Sequence, residues 1–188
     1  LEMQKELKKL QKQVEQPKTK EKPEEKPAPE APLLGPAEEK VLIKSINVTG
    51  VTLFSEAQIR DITGPFENKE LTLREIQGIA DLITELYRKK GYVLSRAYIP
   101  EQKMEQGVLE IKVIEAKVGD IQLKGNRFYS TKLIKSYVTI EKGDPFNYND
   151  LKQDLNNINE HPDRTVKAVL VPGQEPGTTD IVLEEKDS

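Results

Sequence analysis

Few residues in this 188-residue chain could carry chemistry, and the spacing of each argues against it. His161 is the sole histidine. One imidazole cannot furnish a multi-histidine metal site, and no cluster beside it has ligand spacing. It opens the tripeptide His161-Pro162-Asp163, which elsewhere works in a loop between two long antiparallel helices. Here strand-like sequence follows, so it reads as a helix-to-strand turn. Glu24-Glu25, Glu38-Glu39 and Glu184-Glu185 are carboxylate pairs, but general acid–base work needs a cleft that drives two pKa values apart. The first two pairs sit in or beside a proline-rich stretch and the third ends a strand, so all three read as solvated charge. No serine has a histidine partner in a plausible motif, and no glycine-rich phosphate loop is present. The absence of cysteine excludes a disulfide scaffold and a thiolate metal site. The 29 basic and 32 acidic residues are mixed along the chain, for a net charge of -3, so no nucleic-acid footprint stands out. The expectation is a binding or structural module with no enzyme activity, no cofactor and no metal.

A binding surface would be positioned by the chain's regular elements. Met3, Leu7, Leu10 and Val14 have heptad-like spacing over the first 16 residues, too short for a coiled coil on its own. Pro17, Pro23, Pro27, Pro29, Pro32 and Pro36, interleaved with Lys and Glu, predict an extended, semi-rigid linker. The chain begins at Leu1 and reads as a mature or excised fragment. No apolar run approaches the roughly 18 residues of a membrane-spanning helix.

From Val41 onward the periodicity is that of a small folded domain. Ile46 and Val48 alternate with Asn47 and Thr49 until Gly50, which predicts a strand. Ser55 with Gln58 is a capping box for a short helix reaching about Ile62, broken by Gly64-Pro65. Thr72 with Glu75 is a second box. It opens a helix with Ile76, Ile79, Ala80, Ile83 and Tyr87 on one face and Gly91 as its stop. Residues 92–99 read as a strand ended by Pro100, and residues 108–114 as another with Leu109, Ile111 and Val113 inward. The order then recurs. Ile121 and Leu123 run to Gly125, Ser130 can cap a short helix, and Asn147 with Asp150 can start one with Leu151, Leu155 and Ile158 inward. Val166, Ala168 and Leu170 share a strand face, Pro172-Gly173 to Pro176-Gly177 is a turn, and Ile181 and Leu183 mark the last strand. Ile46-x-Val48-x-Gly50 matches Ile121-x-Leu123-x-Gly125, and Ile111-x-Val113-x-Glu115 matches Ile181-x-Leu183-x-Glu185. Duplication explains this better than chance. The fold class is α+β: two tandem β-α-α-β-β modules, each a three-stranded mixed sheet with two helices on one face. A short helix and a Pro-rich linker precede them. The expected boundaries are 1–36, 37–116 and 117–188.

This repeat resembles the POTRA (polypeptide-transport-associated) domain, and several stretches are similar to the two POTRA domains of two-partner secretion transporters, the haemolysin-activator type of the Omp85 superfamily. The residues that carry the resemblance are Gly91 to Gln102, Gly107 to Glu115, Pro162-Asp163-Arg164, and Pro172-Gly173-x-x-Pro176-Gly177-Thr178-Thr179-Asp180. The resemblance covers roughly residues 41–186. It implies a region on the periplasmic side of a Gram-negative outer membrane. There it would serve a secreted partner protein in unfolded form and the transporter's own C-terminal β-barrel, with membrane contact only through that barrel. Residues 1–36 fit the family's helix-and-linker layout but are denser in Lys, Glu and Pro.

In the POTRA fold the second strand lies at a sheet edge, which places Val93, Leu94, Ser95, Arg96, Ala97, Tyr98 and Ile99 as the candidate substrate-binding ledge. Edge strands expose unpaired backbone groups, and an unfolded chain can pair with them whatever its side chains. The segment has one charge, no internal proline and apolar residues on both faces. The helix at 73–90 would wall the adjoining groove, and residues 166–171 are the weaker equivalent in the second module. Two other readings stay open at this stage: a rigid spacer or docking platform, and a POTRA protein of barrel assembly or cell division.

Overall fold

The computed structural model describes residues 39–125 and 131–185. The expected N-terminal helix and linker, and the Ser130 cap, lie outside the described residues. The first module runs β1 (Lys40–Ile43), β2 (Ser45–Thr49), α1 (Glu56–Thr63), β3 (Lys69–Thr72), α2 (Leu73–Lys89), β4 (Arg96–Tyr98) and β5 (Val108–Ile114). The second runs β6 (Lys117–Lys124), α3 (Thr131–Tyr137), α4 (Tyr148–Ile158), β7 (Val166–Pro172) and β8 (Thr178–Glu185). Each has a three-stranded mixed sheet, in the orders β2-β5-β4 and β6-β8-β7. The central strand pairs in parallel with the first strand and antiparallel with the other. This is the expected α+β duplication.

Local signals explain most of the boundaries. Both capping boxes form, at Ser55 with Gln58 and at Thr72 with Glu75. All five residues of the α2 stripe are buried, Ile76, Ile79, Ile83 and Tyr87 completely. Each such isoleucine contributes about 2 kcal/mol of apolar transfer. Lys90 caps α2 and Gly91 follows at φ 94°, the left-handed turn that a glycine accommodates without strain. Leu109, Ile111 and Val113 face inward from β5, and Ile181 and Leu183 from β8.

Three features differ from the sequence reading. Lys40–Ile43 and Lys69–Thr72 form an antiparallel ribbon that periodicity did not announce. Its buried side chains are only Ile43 and Leu71, too few to make a period. The two modules also differ in register. Ile46 lies opposite Leu109, whereas Ile121 lies opposite Ile181, the counterpart of Ile111. A bulge between Val118 and Ile121 displaces the second ladder.

The third difference concerns the candidate ledge. The strand expected over 92–99 contains only Arg96–Tyr98. The described chain forms two compact units, one holding residues up to Lys90 with Ser95–Glu115, the other holding Gly91–Leu94 with the chain from Ala116 on. Val93 belongs to the second unit's core, with Phe146, Tyr148 and Leu151, and Leu94 packs against that same core. Gly91 belongs there too, its carbonyl accepting from Tyr148 N at 2.8 Å. Tyr92, Val93 and Leu94, which continue a strand by composition, thus leave it, because Val93 gains more from a closed core than from an edge.

Candidate functional site

β4 is an outer strand, so its chemistry is that of its unpaired backbone. Along an antiparallel ladder, successive residues alternate between facing the partner and facing away. Ala97, opposite Val113, faces away. Its N–H is already engaged, donating to Thr84 Oγ1 of α2 at 2.9 Å. Thr84 and Ala97 are both half-buried. On the strand's outer side Arg96 lays its guanidinium 5.5 Å from the Tyr98 ring centroid, a cation–π pair two residues apart on one face.

The ladder stops at Tyr98 opposite Lys112 for a chemical reason. Continued, it would place Pro100 opposite Glu110, and proline has no N–H to donate. The Gln102 carboxamide takes over that position. Its Nε2 donates to Glu110 O at 2.8 Å and to Pro100 O at 3.1 Å. Its Oε1 accepts from Glu110 N at 2.8 Å. One side chain thus satisfies the backbone donor and acceptor of one strand residue.

The same device closes β7. Asn159, the C-cap of α4, donates to Val166 O at 2.8 Å and accepts from Val166 N at 2.6 Å. Further along, Leu170 is wholly buried and Pro172 has no donor. The opposite edge of the first sheet has a looser cap, Ile46 N donating to Glu67 Oε1 at 3.4 Å. Natural sheets blunt their edges in such ways.

Of the seven candidate residues, the structure sets Arg96, Ala97 and Tyr98 on the edge and leaves Ile99 half-buried just beyond it. Ser95 is buried at 2 % exposure. Val93 and Leu94 go to the other unit's core. Thr84, Gln102, Asn159 and Glu67 were not singled out from sequence. Thr84 carried a weak signal, a β-branched polar residue directly after Ile83 of the core stripe. Gln102, just after a strand-ending proline, carried another.

Below the edge, Glu115 ends the first module as a hub. It accepts from Tyr87 OH at 2.6 Å, Thr52 N at 2.9 Å and Leu53 N at 3.0 Å, and also from the Thr52 hydroxyl. Partial burial by itself would raise its pKa. The bonds from Thr52, Tyr87 and Leu53 outweigh that and hold the carboxyl below its ordinary range. Among the described residues no three His, Cys, Asp or Glu side chains gather as a metal site, and no helix is long and apolar enough to cross a membrane.

Two β-α-α-β-β modules in tandem, with mixed sheets whose edges lie beside a helix, define a POTRA tandem. Residues 41–116 match the family of POTRA domains of ShlB type, and residues 116–164 match the POTRA family described as a surface antigen variable number repeat. Residues 41–164 are thus POTRA domains, the first of ShlB type, and the chain is homologous to two-partner secretion transporters. It is 28 % identical over 141 residues to the outer membrane transporter CdiB of Escherichia coli, covering 75 % of this chain and 24 % of that one. It is 28 % identical over 158 residues to the hemolysin transporter protein ShlB of Serratia marcescens, covering 84 % of this chain and 27 % of that one. The solved structure of CdiB from Escherichia coli superposes with a TM-score of 0.73 at 24 % identity, over 99 % of this chain and 35 % of that one. The chain thus spans about a quarter of the length of the curated relatives it matches. These relatives are transporters, not enzymes.

Proposed function

We propose that this chain is the periplasmic substrate-recognition region of an outer-membrane protein-secretion transporter. It takes an exported protein in unfolded form by strand addition and passes it to a membrane β-barrel. The observation that carries the reading is the position of β4 at a sheet edge, with Ala97 turned outward beside α2. An extended chain laid along Arg96–Ile99 would gain main-chain hydrogen bonds whatever its sequence, with Tyr98 and the α2 surface adding selectivity. Affinity is modest, because an unfolded segment loses conformational entropy on binding. The test is an NMR titration of this chain with the N-terminal domain of its exported partner, kept unfolded. Shifts clustered on residues 95–99 and α2, abolished by Arg96→Pro in a module that stays folded, support capture. Shifts confined to residues 1–36, or none at high concentration, overturn it.

A second reading rests on a specific observation. Side chains cap backbone groups of three outer strands or their extensions, at Ala97, Val166 and Ile46. A module built only as a rigid spacer or docking platform would be finished in that way. Edge-strand substitutions that leave secretion unchanged select this reading.

A further inference from the structure

We infer that Thr84 gates the β4 edge: its hydroxyl holds the outward N–H of Ala97, and an incoming strand must take that N–H from it. The inference rests on the capture reading above and specifies its regulation.

This cap differs from those made by Gln102 and Asn159. Gln102 and Asn159 each grip the N–H and the C=O of one residue with a planar carboxamide. Displacing either would leave two backbone groups and two side-chain groups to be satisfied at once. Thr84 makes a single contact, Oγ1 accepting from Ala97 N at 2.9 Å. A hydroxyl turns on one side-chain torsion, and a threonine inside a helix has two χ1 rotamers in use. Its own proton can go to the carbonyl one turn back, here that of Ala80, so releasing Ala97 strands no group of Thr84. The Gln102 and Asn159 caps are closures, and Thr84 is a latch.

The latch also discriminates. A carbonyl already paired inside a folded protein gains nothing by taking the Ala97 N–H. An unfolded segment brings a free carbonyl, together with further ladder groups for the carbonyl of Ala97 and the residues beside it, so it can outcompete one hydroxyl. The site therefore prefers an extended polypeptide with unpaired ladder groups over a segment whose carbonyls are already paired.

The test compares the whole chain with Thr84→Val, which keeps the shape but removes the acceptor, and Thr84→Ser, which keeps the hydroxyl. Thr84→Ala, a better helix former that also lacks the acceptor, repeats the test if the valine perturbs α2. Each protein is followed by amide-resolved NMR, for hydrogen exchange and during titration with the unfolded N-terminal domain of the exported partner. The expected result is faster exchange at Ala97 in the valine and alanine variants, affinity about fivefold tighter in them, the worth of one net hydrogen bond, and wild-type behaviour in the serine variant. Affinity in the valine and alanine variants that equals or falls below that of the wild type, or unchanged Ala97 exchange, overturns the gate and leaves capture standing. No binding by any of the proteins, with Ala97 exchange accelerated as expected, overturns capture and the gate with it.

Discussion

The Tyr87 hydroxyl donates to Glu115 Oε2 at 2.6 Å, joining the last turn of α2 to the residue that follows β5. Tyr87 is completely buried and meets Phe54 edge-to-face, with ring centroids 4.7 Å apart. Because Glu115 also accepts from the Thr52 and Leu53 amides, one carboxylate ties three segments of the first module together. The duplicated motif places Glu185 at the matching point of the second module. There is no tyrosine at the matching point of α4, which ends at Ile158, so the hub belongs to the first module.

Acid should loosen the first module through this carboxylate. Its hydrogen bonds lower the folded-state pKa. The stabilisation is therefore fully present above the ordinary carboxylate value of about 4.3 and is lost as pH falls through the folded value. Glu115→Gln keeps an acceptor but not the charge, and is expected to cost about 1–2 kcal/mol at neutral pH. Denaturant midpoints measured from neutral pH downward should show the wild-type advantage shrinking below about pH 4.5. A constant gap across that range would mean that the charge on Glu115 contributes nothing.

The carboxamide at Gln102 should be a stability element with a local signature. Gln102→Ala leaves the N–H and C=O of Glu110 facing a strand end that Pro100 cannot serve. Two partly buried backbone groups losing their partners should cost about 1–3 kcal/mol. Hydrogen exchange at Glu110 should accelerate, while Val166, held by Asn159, stays protected. Gln102→Glu is the sharper variant. It retains the acceptor for Glu110 N but sets a carboxylate against the Glu110 carbonyl, so it should be destabilising at neutral pH and recover on acidification. Equal midpoints for all three proteins would show that water replaces the carboxamide at no cost.

Much of this fold was legible because its signals are local and repeated. The α2 stripe, two capping boxes, the glycine after Lys90 and the alternation in β5 each need only neighbouring residues, and each stands where the sequence put it. The ledge was half legible. Arg96–Tyr98 lies at an edge, but Val93 and Leu94 have strand composition and a different destination. Periodicity reports that a residue is apolar, and it does not report which of two cores will receive it. The caps were least legible, since Thr84 and Ala97 are 13 residues apart and meet through one torsion that no spacing rule encodes.

Two glycines of the first module should respond in opposite directions to the same added methyl group. Gly50 follows β2 at φ 93°, and a Cβ there would stand 2.2 Å from Val113 O, a backbone atom of the central strand. Gly50→Ala must both abandon the left-handed region and push β2 from β5, so a loss of about 2 kcal/mol or more is expected. Gly78 lies inside α2 with nothing within 4 Å of a Cβ. Gly78→Ala should stabilise the module by about 1 kcal/mol, from helix propensity alone. Because α2 carries Thr84, the gain also serves as a check on the latch: a stiffer helix should leave Ala97 exchange unchanged or slower. Thermal or urea unfolding of both variants decides the matter. If Gly78→Ala is destabilising, its face is covered by something that needs the helix backbone bare; if Gly50→Ala is neutral, the crossing of β2 over Val113 is looser than 2.2 Å implies.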